Sequence, residues 1–330
     1  MQPTIRDVAR KAETSVSTVS RVLTGQGPVA DETRRRVMEA ITALGYQPNA
    51  LARGLVQKRS GTIGVVLPDV ANPFCAEVLR GMGDVAAAHR FHLLLVNGDL
   101  SVAKEADGIA VLREKQVDGI IYTSGMITPD HREIFQRFRR PVVLAATYDP
   151  EGAYSGVLVD SRRGAQLAME HVLDLGHRRI AVINGTIADS VAGGPRWQGY
   201  QEAAQARGVQ LAPHLVAEGD YRLESGYWAM DRMLNDKDRP TAVVAGSDLM
   251  AIGAINAIQD RGLRVPEEIS VVGFDNIWLA GAVRPGLTTV AQPMYDMGAR
   301  AVAMLAQAIA DNGRPATQWI QPQLVIRGST

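Results

Sequence analysis

The run SVSTVSRVL at residues 15–23 decides how the amino-terminal part of this chain folds. Val19, Val22 and Leu23 recur at i, i+3 and i+4, which is one apolar stripe of a short helix. Ser17, Ser20 and Arg21 repeat that spacing on another face, and Ser15 carries a hydroxyl that can cap the first turn. The outward face therefore holds small hydroxyls and one guanidinium, with no bulky side chain among them. Taken alone, such a segment reads as a surface helix of a bundle.

Its neighbours change that reading. In TIRDVARKA (residues 4–12), Thr4 and Asp7 are spaced as a capping box, and Ile5, Val8 and Ala9 form a second short stripe. Only AETS (12–15) lies between the stripes, enough for a tight turn. VADETRRRVMEAITALGY (29–46) predicts a third helix, capped by Asp31, buried along Val37, Ile41 and Leu44, and stopped by Gly45. Two short helices across a tight turn, braced by a third, make a helix-turn-helix unit. In that unit the second helix enters the DNA major groove, where small side chains let the backbone approach and an arginine can pair with a guanine edge.

Charge is distributed accordingly. The 330 residues hold 35 basic and 35 acidic side chains, yet residues 1–60 carry ten Lys/Arg against five Asp/Glu. The head is thus +5 and the remainder −5, a basic segment suited to phosphate on an acidic body. A run such as Arg34–Arg36 is by itself only a solvated face.

From Gly61 onward the pattern becomes α/β. TIGVVLP, HLLLVN, GIIYTS, PVVLAA, GVLVD, RIAVIN, TAVVAG and ISVVGF read as buried strands, with amphipathic helices between most of them. They are too many for one sheet of this type, and a break near Asp160 predicts two doubly wound parallel-sheet lobes. Ligands bind such sheets at the carboxyl ends of the strands.

The motifs of catalysis are missing. No P-loop, HExxH or GxSxG occurs, and GMGDVA (81–86) follows the helical run PFCAEVLR, not a strand, so its glycines fall inside a helix. His171 and His177 have no metal-ligand spacing, and Cys75 is the only cysteine. These features predict no catalytic site, no metal and no cofactor. The single cysteine, the want of a signal peptide and the want of a membrane-spanning apolar run predict a cytoplasmic protein with no membrane partner. The NGT sequon at Asn184 is read as accidental.

Over essentially its full length the chain resembles the lactose-repressor/galactose-repressor (LacI/GalR) family of bacterial transcription regulators. The resemblance rests on TIRDVARKAETSVSTVSRVL, VADETRRRVMEAITALGYQPNALARGL, IGVVLPDVANPF, VDGII, DLGHRRIAVING, SDLMAIGA and GLRVPEEISVVGFDN followed by LTTV. It implies a helix-turn-helix DNA-binding domain (1–47), a hinge (48–60) and a two-lobed core similar to periplasmic sugar-binding proteins (61–330). The N-lobe is expected over about 61–160 and 292–320, and the C-lobe over about 161–291.

By resemblance, Val16, Ser17 and Arg21 read bases of double-stranded operator DNA, Thr4 and Ser20 contact phosphates, and Asn49 lies at the hinge entry. Glu13 stands where the family usually has Gly or Asn, which implies a strained turn, since Glu tolerates positive φ poorly. The hinge, PNALARGLVQKRS, is too short to be helical unaided, and Gly54 costs it about 1 kcal/mol more against alanine. The resemblance implies that two hinge helices pair on DNA and that Leu55 wedges into the minor groove. A plain flexible linker is the other reading.

The implied effector pocket comprises Asn72, Phe74, Arg196, Tyr221, Ser247, Asp275 and Gln292. Aromatic faces would pack on a ring while the arginine and carboxylate hold hydroxyls. Ser247 replaces the usual Asn, Ala145 and Ala146 stand where sugar-binding relatives often have Asp, Asp248 reads as a helix cap, and Trp278 is expected to add bulk. The expected effector is a sugar or sugar acid. Only three residues follow WIQPQLVIR (319–327), too few for a tetramerising heptad segment, so a homodimer is expected. The competing class is a sugar-binding or sugar-processing protein with an accessory helical head.

Overall fold

Short apolar stripes can be buried only against one another, and among the described residues the head does this with three helices, α1 (Ile5–Lys11), α2 (Val16–Thr24) and α3 (Asp31–Leu44). The computed structural model describes residues 3–24, 27–46, 59–311 and 313–330, and the chain divides into two compact units, 1–62 and 63–330. In the first unit Val8, Ala9 and Ala12 meet Val19, Val22, Val37 and Ala40 in one small core. The capping box closes as expected, with the Thr4 N–H donating to Asp7 Oδ2 at 2.9 Å and the Asp7 N–H donating to Thr4 Oγ1 at 3.4 Å.

Two local expectations for the head resolve differently. Asp31 is not the cap of α3 but its first residue; Ala30 holds the cap position without a side-chain hydrogen bond. Asp31 and Glu32 instead place negative charge beside the unpaired N–H groups of the first turn. Glu13 does adopt the left-handed conformation, at φ +48°. That conformation costs an L-residue about 1–2 kcal/mol. Hydrogen bonds from Glu13 N to Arg10 O (3.3 Å) and Thr14 N to Ala9 O (3.0 Å) hold it there.

The second unit is wound twice. Its strands are β1 (Thr62–Leu67), β2 (His92–Asn97), β3 (Ile120–Tyr122), β4 (Val142–Ala145), β5 (Ser155–Val159), β6 (Ile180–Asn184), β7 (Val216–Glu218), β8 (Ala242–Ala245), β9 (Ser270–Asp275), β10 (Thr288–Ala291), β11 (Gln318–Ile320) and β12 (Gln323–Val325). They form two six-stranded sheets of matching order, β11-β5-β4-β3-β1-β2 and β12-β10-β9-β8-β6-β7. The central strands are buried on both faces, which is why they read as unbroken apolar runs.

The covering helices are α4 (Pro73–Ala88), α5 (Val102–Glu114), α6 (Pro129–Phe138), α7 (Ser161–Asp174), α8 (Gly193–Ala206), α9 (Leu223–Met233), α10 (Asp248–Asp260), α11 (Trp278–Ala282) and α12 (Met294–Asp311). The chain leaves the first sheet at Val159, and Asp160 caps α7 by accepting the Arg163 N–H at 2.9 Å. It returns after β10, so that α12 packs on the first lobe. WIQPQLVIR is split between the sheets: β11 pairs parallel with β5 and β12 antiparallel with β10. Pro322 falls between them, and a proline cannot donate to a ladder.

In each lobe two helices cross at paired glycines. A Cβ on Gly81 would lie 2.0 Å from the Tyr295 carbonyl oxygen, and one on Gly298 would lie 2.0 Å from that of Val78. In the other lobe a Cβ on Gly226 would lie 2.1 Å from Met250 O, and one on Gly253 2.0 Å from Leu223 O. GMGDVA therefore sits inside α4, as expected, and its first glycine serves helix packing. Its second, Gly83, has no described atom within 4 Å of an added Cβ. Gly81→Ala should therefore destabilise the core by about 1–3 kcal/mol through overpacking, and Gly83→Ala should stabilise it by about 0.5–1 kcal/mol. Urea-unfolding midpoints of the two variants check this, and a Gly81→Ala midpoint equal to wild type would refute the close crossing.

Candidate functional site

On α2 the residues singled out in the sequence form one outward face. Val16 is 41 % exposed, Ser17 and Arg21 are exposed, and Ser20 is half-buried. Ser15 Oγ accepts the Thr18 N–H at 3.1 Å and lies 2.7 Å from Ser17 Oγ, which fixes the first turn and the Ser17 hydroxyl together. Thr4 is differently placed: its N–H and its hydroxyl both donate to Asp7, leaving only oxygen lone pairs for any further partner. Arg35 is occupied by Glu32 and Glu39 of its own helix, at 2.6 and 2.7 Å, so that member of the arginine run belongs to a solvated face. Asn49 and Leu55 lie outside the described residues.

In the second unit the other set gathers at strand carboxyl ends. Arg196, in the first turn of α8, is only 5 % exposed. It donates to the Gly246 carbonyl after β8, and its guanidinium lies 3.9 Å from the Phe274 ring centroid and 5.9 Å from that of Tyr221. Asp275, the last residue of β9, brings Oδ1 to 3.9 Å from Arg196 and accepts Gln292 Nε2 at 2.7 Å. Ser247 follows Gly246 and caps α10, taking the Met250 N–H at 3.2 Å.

Asn72 and Phe74 stand at the carboxyl end of β1 and do not hydrogen-bond this group. Asn72 caps α4, while Phe74 packs on the first-lobe core. Trp278, expected to add bulk, is 72 % exposed. Asp248, expected to cap a helix, leaves that task to Ser247. Its carboxylate accepts the Thr289 hydroxyl at 2.5 Å and the Ile277 N–H at 2.8 Å.

Sequence reasoning missed other members of the site. Asn184 Oδ1 and Ser190 Oγ, like Nε of the expected Arg196, are buried without a hydrogen-bond partner among the described residues. Asp189 accepts the N–H groups of Val191, Ala192 and Gly193 at the start of α8, at 2.8–3.3 Å, and the Tyr221 hydroxyl at 3.5 Å. Asn184 was visible only as a sequon, and Ser190 belongs to a loop with no periodic pattern. Together the group offers a forked donor, a carboxylate, an amide oxygen, a hydroxyl and aromatic faces, which is chemistry for a small polyhydroxylated ring.

Its electrostatics follow from burial. Desolvation pushes the Asp275 carboxyl up to about 6, against the lowering pull of Arg196 and Gln292. Burial, and then the charge of Asp275, drive Asp248 well above the ordinary carboxylate range. Burial also raises the Tyr221 hydroxyl to about 12.

A second buried polar cluster occupies the first lobe. Glu105 accepts from Tyr122 at 2.8 Å, lies 2.6 Å from His131 Nε2, and also accepts the Ser124 hydroxyl. The Thr128 N–H donates to His131 Nδ1 at 3.1 Å, so in the neutral ring the proton sits on Nε2, toward Glu105. Ser124 bonds the carboxylate and not the imidazole, so these residues lack the arrangement that activates a serine nucleophile. Among the described residues no three His, Cys, Asp or Glu side chains are grouped to hold a metal, and no described helix is long and apolar enough to cross a membrane.

Comparison with known proteins matches both units. Residues 4–49 fit the family model "Bacterial regulatory proteins, lacI family", and residues 169–330 fit "Periplasmic binding protein-like domain". Catabolite control protein A of Priestia megaterium is 41 % identical over 93 % of this chain and 92 % of its own length. The lac repressor dimer solved with operator and the anti-inducer ONPF is 28 % identical with a TM-score of 0.90, covering 100 % of this chain and 99 % of that one. The regulator CelR in complex with cellobiose is 32 % identical with a TM-score of 0.76, covering 99 % and 100 %.

The raised carboxyl yields a pH prediction. Asp275 holds its proton more tightly folded than unfolded, so its contribution to stability is full below about 3.8 and is lost as pH rises through about 6. Asp275→Asn cannot undergo that loss. Its stability relative to wild type should therefore increase by about 1–3 kcal/mol between pH ~4.5 and ~7.5. Calorimetric melts across the range check this, and a constant difference would contradict the buried, raised carboxyl.

Proposed function

We propose the following from one premise: this chain belongs to the lacI family of bacterial regulatory proteins, and it is a DNA-binding transcriptional regulator. It acts in the cytoplasm as a repressor, binds a pseudo-palindromic operator as a homodimer, and is controlled by a sugar or sugar acid at the Arg196–Asp275 group. The observation that carries this reading is that buried group itself, in which Arg196 lies by the faces of Phe274 and Tyr221 and keeps an unpartnered Nε. The cellobiose complex of CelR supports the effector class.

Base reading falls to Val16, Ser17 and Arg21 on the exposed face of α2, with phosphate contacts from Thr4 and Ser20 and the hinge residues Asn49 and Leu55 following the family pattern. Asn72 and Phe74 close the effector site from the first lobe, opposite Arg196, Tyr221, Ser247, Asp275 and Gln292. Self-association is supported by the edge strand β2, where Leu95 is 46 % exposed, by Val111 on α5 (47 %), and by Trp228 on α9 (66 %).

Control then follows from linkage. A ligand bound at Arg196 and Asp275 bears on how the lobes meet, where Arg222 pairs with Asp69 at 3.6 Å and Ile277 of the second lobe is buried in the first-lobe core. Whatever factor the ligand imposes on operator affinity, operator imposes on ligand affinity.

Two substitutions test the two ends of this reading. Arg21→Ala should cost about 1–3 kcal/mol on the preferred operator and relax discrimination at one base position per half-site. Equal losses on operator and random DNA, measured by fluorescence anisotropy, would show a phosphate contact instead. Arg196→Ala should leave operator affinity without ligand close to wild type and abolish the response to ligand; a retained response at the same ligand concentration would refute the assigned site.

A further inference from the structure

We infer that the first lobe carries a second ligand site, for a small phosphate-bearing metabolite, at the amino ends of β4 and β5. These are the opposite strand ends from those that carry the effector site. A concave site of about 300 Å³ opens there, lined by Arg139, Arg140, Arg314, Tyr154, Val142 and Pro315 among others, with no carboxylate among the described lining residues.

Three features make this site suited to an anion. First, the two acids of the β4–β5 connection are already used: Asp149 and Glu151 pair with Arg132 at 2.7 and 2.9 Å. Among the described residues Arg139 and Arg140 have neither a hydrogen-bond nor an ion-pair partner. Second, Arg314 is held in place by uncharged groups alone, donating to the Gly152 carbonyl and, at 3.2 Å, to Ser155 Oγ. That fixes a guanidinium at the rim without neutralising it. Third, Arg139 occupies the left-handed C-cap after α6, at φ +57°, where glycine is the favoured residue. A guanidinium thus stands where the backbone would relax with no side chain at all.

Three arginines lining one site without a carboxylate repel one another, and a doubly charged phosphate with several acceptor oxygens relieves that repulsion while accepting forked hydrogen bonds. The Tyr154 ring, fixed edge-on against Phe135 with centroids 5.2 Å apart, and the apolar walls of Val142 and Pro315 give the body of such a ligand a surface to rest on. The size of the site suits a small phosphate ester.

The test uses the full-length protein without DNA, at fixed ionic strength, titrated calorimetrically with inorganic phosphate, glycerol 3-phosphate and, as the uncharged control, glycerol. Both phosphates should bind wild type while glycerol does not. The Arg139→Gly/Arg140→Gln variant, in which glycine suits the positive φ and so protects the fold, should weaken both at least about tenfold. Binding should persist in Arg113→Gln/Lys115→Gln, which removes the same charge elsewhere on the lobe, and in Arg196→Ala, which separates this site from the effector site. No phosphate binding by wild type, undiminished binding in the first variant, or equal loss in the second would overturn the proposal. So would an Arg139→Gly/Arg140→Gln protein that loses only operator affinity, since its arginines would then serve DNA phosphates.

Discussion

A guanidinium removed from water costs least where its charge and most of its donors are met, and the strand ends of the second lobe meet those of Arg196 except at Nε. Its three partners come from two adjacent strands: the Gly246 carbonyl just after β8, the Phe274 face within β9, and the Asp275 carboxylate at the end of that strand. To aim the carboxylate, the backbone turns to φ +114° at Asp275 and +61° at Asn276. Gln292 then holds the carboxylate from the connection after β10. Burial, and then the negative charge thus brought in, raises Asp248, which is met by the Thr289 hydroxyl and the Ile277 N–H. Ile277 in turn is buried in the core of the first lobe. One buried cation is therefore linked, contact by contact, to the place where the lobes meet.

The twofold winding explains why ligand chemistry gathers there. Each lobe repeats the same strand order, so each presents its strand carboxyl ends, with their caps and unpaired backbone groups, to the segments that pass between the lobes. The two glycine-mediated helix crossings, at Gly81 with Gly298 and at Gly226 with Gly253, let the covering helices approach backbone to backbone. The head uses a smaller version of the same economy: alanines and valines bring three short helices together and leave the hydroxyls and Arg21 of α2 outward.

Much of this was legible in the sequence because burial leaves periodic marks. The unbroken runs TIGVVL and ISVVGF announced central strands, and the i, i+3, i+4 stripes of residues 4–23 announced the helix pair. What escaped notice was structured by polar groups. Thr288 and Thr289 are fully buried in β10, but their hydroxyls bond Thr330 and Asp248, so the strand lacks an apolar signature. The Glu105–Tyr122–His131–Ser124 cluster unites residues up to 26 positions apart and left no local pattern. Among the pocket residues, Arg196, Tyr221, Asp275 and Gln292 come together, while Asn184, Asp189 and Ser190 were missed because an orphaned amide oxygen or a loop carboxylate becomes visible only in three dimensions. Asp31 and Asp248 misled for one reason: an acid at a helix start reads as a cap, but the preceding residue holds that position in both cases.

The most direct measurement is a reciprocal binding experiment on the full-length protein, using the sugar that gives the largest thermal shift in a panel. Operator affinity is measured with and without that sugar, and sugar affinity with and without operator. Linkage requires the same factor in both directions, and typical coupling of this kind is about 5–150-fold. Equal factors within that range would establish that the Arg196 site and the α2 face act as one device. A sugar affinity indifferent to saturating operator would contradict it and leave a sugar-binding core joined to an independent DNA-binding head.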